Sequence, residues 1–261
     1  MSLEKSQAIV LRAVPWSETS LIVTLLTRDF GKISAVAKGA RRLKGPFEGS
    51  LDLLSVCTVN FIDKAGEVLD ILTESKLLRR FRSGARSLDA LNAGYYLADV
   101  LYRTTEADRQ LVDLFDLSDI TLRFLDSGSP VASAVIRFEL HSLAILGHAP
   151  QLAECVACST LLPSASEVSL HRRGQARTAF SHAAGGVICD ACLPGHREIV
   201  RVDNETILAL QRTLAADWRS GEAELLPTRA IIESRQLLNR LFRTLLDRPI
   251  ETASLLDNLT Q

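Results

Sequence analysis

Four of the five cysteines stand in two pairs, Cys155-Val156-Ala157-Cys158 and Cys189-Asp190-Ala191-Cys192. Two thiolates at this spacing reach one ion from a single tight turn, and two such pairs complete the tetrahedral all-sulfur shell of a structural zinc site. With every position filled by sulfur there is no place for a reactive water, so zinc held by Cys155, Cys158, Cys189 and Cys192 is expected to fold the chain and not to catalyse. Two blander readings compete, a pair of disulfides and four unligated buried thiols. Met1-Ser2-Leu3-Glu4-Lys5 begins no secretory signal. The reducing compartment this implies disfavours disulfides. The spacer between the pairs is longer than in an ordinary zinc ribbon.

Within that spacer, Glu167 to Leu170 and Thr178 to Ser181 read as short strands joined around Gly174, and Gly185-Gly186 allows a sharp reversal into the second pair. A hairpin this small cannot hold itself by burial, and a metal clip substitutes for the missing core. Arg172, Arg173 and Arg177 at its tip could touch phosphate or simply be solvated.

The second chemistry-bearing stretch is basic. Arg28, Lys32, Lys38, Arg41, Arg42 and Lys44 stand against one acid, Asp29, and the later four lie in a glycine-flanked loop. Such a run can follow a phosphate backbone, each neutralised phosphate releasing counterions. Its bland alternative is a solvated loop. Arg12, Arg79, Arg80 and Arg82 could extend the track, whereas aromatics for base stacking are few: Trp16, Phe30 and Phe47, each free to be packed or exposed. Electrostatics should therefore dominate, with a salt dependence of about −0.7 log units per phosphate on single strands.

Catalytic constellations are missing. There is no GxxxxGK(S/T) loop, GxSxG elbow or HExxH. His196-Arg197-Glu198 resembles the HxE of zinc deaminases, but it follows both cysteine pairs and neither first cysteine is preceded by proline. Binding without bond making is expected, so the protein is read as no enzyme.

The elements that must position these residues change character along the chain. Gln7 to Ala13, Ser20 to Thr27, Gly31 to Lys38, Ser55 to Ile62 and Val68 to Ser75 read as strands separated by turn signals. Five of this size suggest a small barrel, of the oligonucleotide-binding (OB) or the SH3-like type. Cys57 alternates with Val59 and Phe61 and is expected in its core. From Ser87 the period becomes helical. Helices are expected from Ser87 or Asp89, over 109–124 and 131–146, from Asp203 to about Trp218, and over 230–246. His141 and His148 are read as packing or capping residues, and the apolar stripes of the last two helices as core. The fold class is α+β: a five-stranded barrel domain over 1–82, then a helical domain over 83–261 with a zinc-binding module at about 153–196.

Composition adds bounds. The 261 residues are 47% apolar and 23% charged, with a formal net charge of −1, so any affinity for nucleic acid must come from the distribution of charge. No apolar run nears the ~18 residues of a membrane span. A cytoplasmic protein is expected.

One block of sequence resembles a known family. Ala8-Ile9-Val10-Leu11-Arg12, Ser17-Glu18-Thr19-Ser20, Val23-Thr24-Leu25-Leu26-Thr27-Arg28 and Phe30-Gly31-Lys32-Ile33-Ser34-Ala35-Val36-Ala37-Lys38-Gly39-Ala40-Arg41 are similar to the opening of the bacterial recombination mediator RecO family, and Phe180-Ser181 with Ala184-Gly185-Gly186-Val187-Ile188-Cys189 extend the likeness. The resemblance implies an N-terminal OB-fold, a helical domain with a zinc module, and ATP-independent binding and annealing of single- and double-stranded DNA. It implies as partners RecR, the single-strand-binding protein SSB, and RecA, which the mediator helps load onto SSB-coated DNA at the bacterial nucleoid. Some members lack the cysteines, so the metal is not implied to be essential to activity. A reading from another class is a zinc-stabilised scaffold whose barrel binds protein.

Overall fold

In the computed structural model, the structure describes residues 2–42, 45–47, 49–64, 69–83, 87–107, 109–162, 177–196, 198–220 and 225–260. The five expected N-terminal strands form as β1 (Ser2–Pro15), β2 (Leu21–Thr27), β3 (Gly31–Ala37), β4 (Val56–Asp63) and β5 (Asp70–Arg79). They close into a barrel in the order β1-β2-β3-β5-β4. All neighbours are antiparallel except β3 and β5, whose parallel pairing of Ala35–Ala37 with Asp70–Leu72 shuts the barrel. This is the five-stranded Greek-key arrangement of the OB-fold.

The inward residues follow the period of two. In β3, Gly31, Ile33, Ala35 and Ala37 are buried while Lys32, Ser34 and Val36 are only partly so. Cys57, Val59 and Phe61 of β4 enter the same core, with Val10, Val23, Leu25 and Leu72. Each larger side chain fully buried here contributes about 1.5–3 kcal/mol. A register shift between Val10 and Arg12 marks where β1 leaves β4. Its pairing with β4 ends at Ile9, and Arg12 to Pro15 continue on β2 alone.

By spatial contact the chain separates into residues 1–129 and 130–261. The boundary expected after residue 82 falls between β5 and α1 (Leu88–Thr104), and both α1 and α2 (Val112–Ser127) lie in the first unit. The packing explains why. A methyl group on Gly94 of α1 would come within 2.7 Å of both Leu54 and Phe81, so only a glycine lets the helix approach so closely. Arg79, at the end of β5, pairs with Asp119 and Asp126 of α2. Ser87 caps α1 through its hydroxyl, which accepts from the Ala90 N–H.

The second unit contains α3 (Val131–Ile145), β6 (Arg177–Ser181), β7 (Gly186–Ile188), β8 (Ile199–Asp203), α4 (Asn204–Ala215), a 3-10 turn at Trp218–Ser220, α5 (Thr228–Leu246) and a 3-10 segment at Glu251–Thr260. Helix α3 is buried almost all round, and its Glu139 pairs with Arg235 of α5. Leu237, Leu238, Leu241 and Phe242 form the buried stripe of α5. Helix α4 is shorter than expected, because the chain turns extended at Ala216 before Trp218. The expected strand at 167–170 and the turn at Gly174 lie outside the described residues. The strand expected at 178–181 is β6, and it is the centre of a three-stranded sheet in the order β7-β6-β8.

Candidate metal centre and nucleic-acid interface

The first cysteine pair sits in a closed knuckle. The Cys155 N–H donates to the Thr160 carbonyl at 2.9 Å, Ser159 donates to Cys155 at 2.8 Å, and Leu162 to Ala153 at 2.9 Å. The second pair turns through a Cys192 N–H to Cys189 carbonyl bond of 3.0 Å. Between the two, Val187 donates to Gln151 at 2.9 Å and Val156 donates to Val187 at 3.0 Å, so β7 is threaded between the halves of the site. Gly186 is required at this crossing. A β-carbon there would lie 2.5 Å from Val156 and 2.6 Å from the Gln151 carbonyl oxygen. On the far side, Gln211 of α4 donates to the Leu152 carbonyl at 2.7 Å.

This framework brings the four predicted sulfurs within 4.8 Å of one another. The Cys158 and Cys189 sulfurs are 3.7 Å apart, far beyond a disulfide bond. A tetrahedron with metal–sulfur bonds of about 2.3 Å has edges of about 3.8 Å, so the spacing suits a four-sulfur ion site. The protons point the same way. A hydrogen bond from the Cys189 backbone, foremost, draws the Cys155 thiol down to about 6. Hydrogen bonds with Cys158 and then Cys189 push Cys192 up to about 12. Four sulfurs this close cannot all be anionic without a cation between them. Cys57, buried in the barrel, takes no part, and burial raises its thiol further.

Of the two histidines, His141 packs and His148 caps a helix end. His141 is buried, and its Nε2 lies 3.0 Å from the Thr213 carbonyl, which can only accept, so the proton is on Nε2. Burial, foremost, holds its pKa below the ordinary value. The His148 N–H caps α3 on the Leu143 carbonyl at 2.7 Å. In the HxE sequence, Arg197 lies outside the described residues and Glu198 pairs with Arg240 at 3.2 Å.

The basic run is divided by the strand inside it. Arg28 and Lys32 lie toward the start of β3, Lys38 to Arg42 beyond its end, and the six-residue step along the strand from Lys32 to Lys38 separates the two groups by about 20 Å. At the first end, Asp116 of α2 takes Arg28 through two hydrogen bonds of 2.9 and 3.0 Å, and that carboxylate, foremost, raises the guanidinium pKa. Lys32 donates to the Tyr102 carbonyl at 2.7 Å and lies 5.2 Å from the centre of the Tyr102 ring. Burial lowers its pKa. The acid of the run, Asp29, accepts from the Ser6 hydroxyl at 2.6 Å.

At the other end Lys38, Arg41 and Arg42 are exposed together. Gly39 takes φ +76° in a turn closed by an Arg42 N–H to Gly39 carbonyl bond of 3.0 Å. This loop is fastened to the β1–β2 turn: the Arg41 N–H donates to the Thr19 carbonyl at 3.0 Å and its guanidinium to the Ser17 carbonyl at 3.3 Å. Lys44 lies outside the described residues. Of the possible extensions, Arg79 is occupied by α2 and Arg80 reaches the Gly49 carbonyl and Asp52. Arg12 is exposed and donates to the Tyr102 hydroxyl at 3.4 Å. Arg177 does not sit at a hairpin tip. It starts β6 and pairs with Glu233 at 2.9 Å, while Arg172 and Arg173 fall outside the described residues.

The aromatics sort themselves. Phe47 is buried, and Phe30 packs edge-on to Phe61 with ring centres 5.4 Å apart. Trp16 is 64% exposed. Tyr102, flanked by Arg12 and Lys32, had no local signal, because its cationic neighbours come from β1 and β3 while it ends α1.

Comparison with known proteins agrees with this architecture. Residues 1–81 match the family described as Recombination protein O N terminal, and residues 85–253 match Recombination protein O C terminal. The chain is 47% identical over 210 residues to the DNA repair protein RecO of Rhodopirellula baltica, covering 80% of this chain and 74% of that one. It is 30% identical to the DNA repair protein RecO of Roseiflexus over 98% of this chain and 86% of the relative. The Gloeobacter violaceus protein of the same name is 32% identical over 97% and 92%. No helix among the described residues is long and apolar enough to cross a membrane.

Proposed function

Because the chain belongs to the RecO family of DNA repair proteins, we propose that it is a recombination mediator that binds single- and double-stranded DNA, anneals complementary strands without ATP, and with RecR helps load RecA onto SSB-coated single strands. The observation that carries this reading is the exposed group of Lys38, Arg41 and Arg42 at one end of an OB barrel, fastened to the neighbouring turn. Cations held at a rim lower the repulsion between two phosphate chains, so that complementary bases can meet. Nothing in that step makes or breaks a covalent bond. Lys44, two residues further along the sequence, is read as a fourth cation of this group, whereas Arg28 and Lys32 would join only where their contacts to Asp116 and Tyr102 open. Residues 1–82 are read as the nucleic-acid-binding domain and the remainder as the helical domain that meets protein partners in the cytoplasm, at the nucleoid.

Cys155, Cys158, Cys189 and Cys192 would hold Zn²⁺ as a structural ion. When bound, the ion supplies cross-linking alone, since four sulfurs occupy its whole shell. The residues around it do the rest: Gln151, Val156 and Val187 tie the two knuckles together, and Gln211 ties them to α4.

Filter binding of DNA over a salt series tests the reading. Wild type should show a salt slope set by its phosphate contacts, and Arg41→Glu with Arg42→Glu should abolish retention at moderate salt and flatten the slope by about 1.4 on single strands. Retention that hardly responds to salt, or that survives the double substitution, would remove this loop as the DNA site, and no retention by wild type would favour the protein-binding scaffold instead.

A further inference from the structure

The register of the barrel puts Trp16, which has no ring or cation contact among the described residues, at the same end as the exposed cations. Pro15 of β1 pairs with Leu21 of β2, and Leu21 pairs with Ala37 of β3. Trp16, which follows Pro15, therefore emerges at the same end of the barrel as Lys38, which follows Ala37. Arg41 joins the two loops through its bonds to Thr19 and Ser17. The turn carrying Trp16 is itself closed: the Trp16 N–H donates to the Ser20 carbonyl at 3.0 Å, and the Ser20 N–H donates to the Ser17 hydroxyl at 3.2 Å. The indole thus stands in solvent on a braced mount, while Phe30 and Phe47 are committed to the barrel core.

We propose that Trp16 is a stacking platform for an unpaired DNA base, with Arg41 and Arg42 taking the adjoining phosphates. The inference rests on the DNA-binding reading above and gives it a ligand class: single-stranded segments. A lone exposed aromatic is ordinary on a protein surface. What distinguishes Trp16 is the charge around it, since the loops at 16–20 and 38–42 carry Lys38, Arg41 and Arg42 against the single acid Glu18. An indole face beside guanidinium groups matches the two halves of a nucleotide, a π-face and an anion. Bases inside a duplex have both faces covered by their neighbours. A platform of this kind therefore distinguishes unpaired from paired DNA, while the cations alone would hold either.

The chain has two tryptophans, and the other, Trp218, is buried in the second unit under the Arg219 guanidinium at 4.1 Å. In the full chain carrying Trp218→Phe, indole emission reports on Trp16 alone. Titration with a fluorescein-labelled oligothymidylate, reading dye anisotropy and indole emission together, should show quenching that rises in step with binding. Trp16→Ala should weaken oligothymidylate binding by roughly 5- to 100-fold, leave the salt slope unchanged, and make no difference on an abasic oligomer of equal length. Trp16→Phe should restore most of the loss. Arg41→Gln should instead flatten the salt slope by about 0.7. Should Trp218→Phe disturb folding, the emission difference between wild type and Trp16→Phe gives the same readout. Equal affinity of wild type and Trp16→Ala for oligothymidylate, or binding by anisotropy with flat indole emission, overturns the platform and leaves the DNA-binding reading standing. Absence of any anisotropy change with wild type would overturn both.

Discussion

Asp116 decides whether Arg28 can act at a distance. Both side chains are partly exposed, and the paired charges are worth no more than about 0.2–1 kcal/mol to folding. Asp116→Asn should therefore leave the melting transition almost unchanged while releasing a full positive charge. If Arg28 lies on the DNA path, the salt slope of single-strand binding steepens by up to about 0.7; an unchanged slope in filter binding removes Arg28 from that path. No local pattern could have announced this pairing, because its partner stands 88 residues further along. The cysteines are the opposite case. Their ligand geometry was legible because each pair is closed by its own turn, and the one long-range requirement, glycine at 186, shows in sequence only as a permissive Gly185-Gly186 step. The basic run shows why a linear cluster misleads: a strand of seven residues carries Lys32 and Lys38 toward opposite ends of the barrel.

Among the elements, β7 and the two knuckles depend on what holds the sulfurs. In protein loaded with Zn²⁺, chelation at neutral pH, or Cys158→Ser, should release the ion and speed hydrogen exchange at residues 151–162 and 186–192, with the β1–β5 amides as internal reference. Exchange that stays slow after complete loss of metal would mean that the backbone bonds among Gln151, Val156 and Val187 suffice. The helices and barrel strands were readable to within a few residues because their apolar period is strong and capping residues such as Ser87 and Asp203 mark the starts. Of the small sheet only β6 was. Ile199–Asp203 is short and runs directly into the Asp203 cap, and the helix signal masked it.

For the molecule as a whole, the family boundary near residue 82 and the packing boundary at residue 129 predict different fragments. Residues 1–129 should fold with a cooperative melt, because Arg79 keeps Asp119 and Asp126, and Leu54 and Phe81 keep Gly94. Residues 1–82 should aggregate or melt broadly, with those surfaces bared; a sharp melt of the shorter fragment by circular dichroism would show that α1 and α2 are dispensable to the barrel. Composition alone, at a net charge of −1, reveals none of this, since opposite charges settle in pairs and only their remainder faces a ligand. The parallel closure of β3 on β5 rests on Ala35, Val36 and Ala37, and Lys38 is the next residue. Such a brief seam is where the cylinder should breathe first, so a polynucleotide laid along the loop that leaves it would act as a clasp, slowing amide exchange in the very strand whose end it grips.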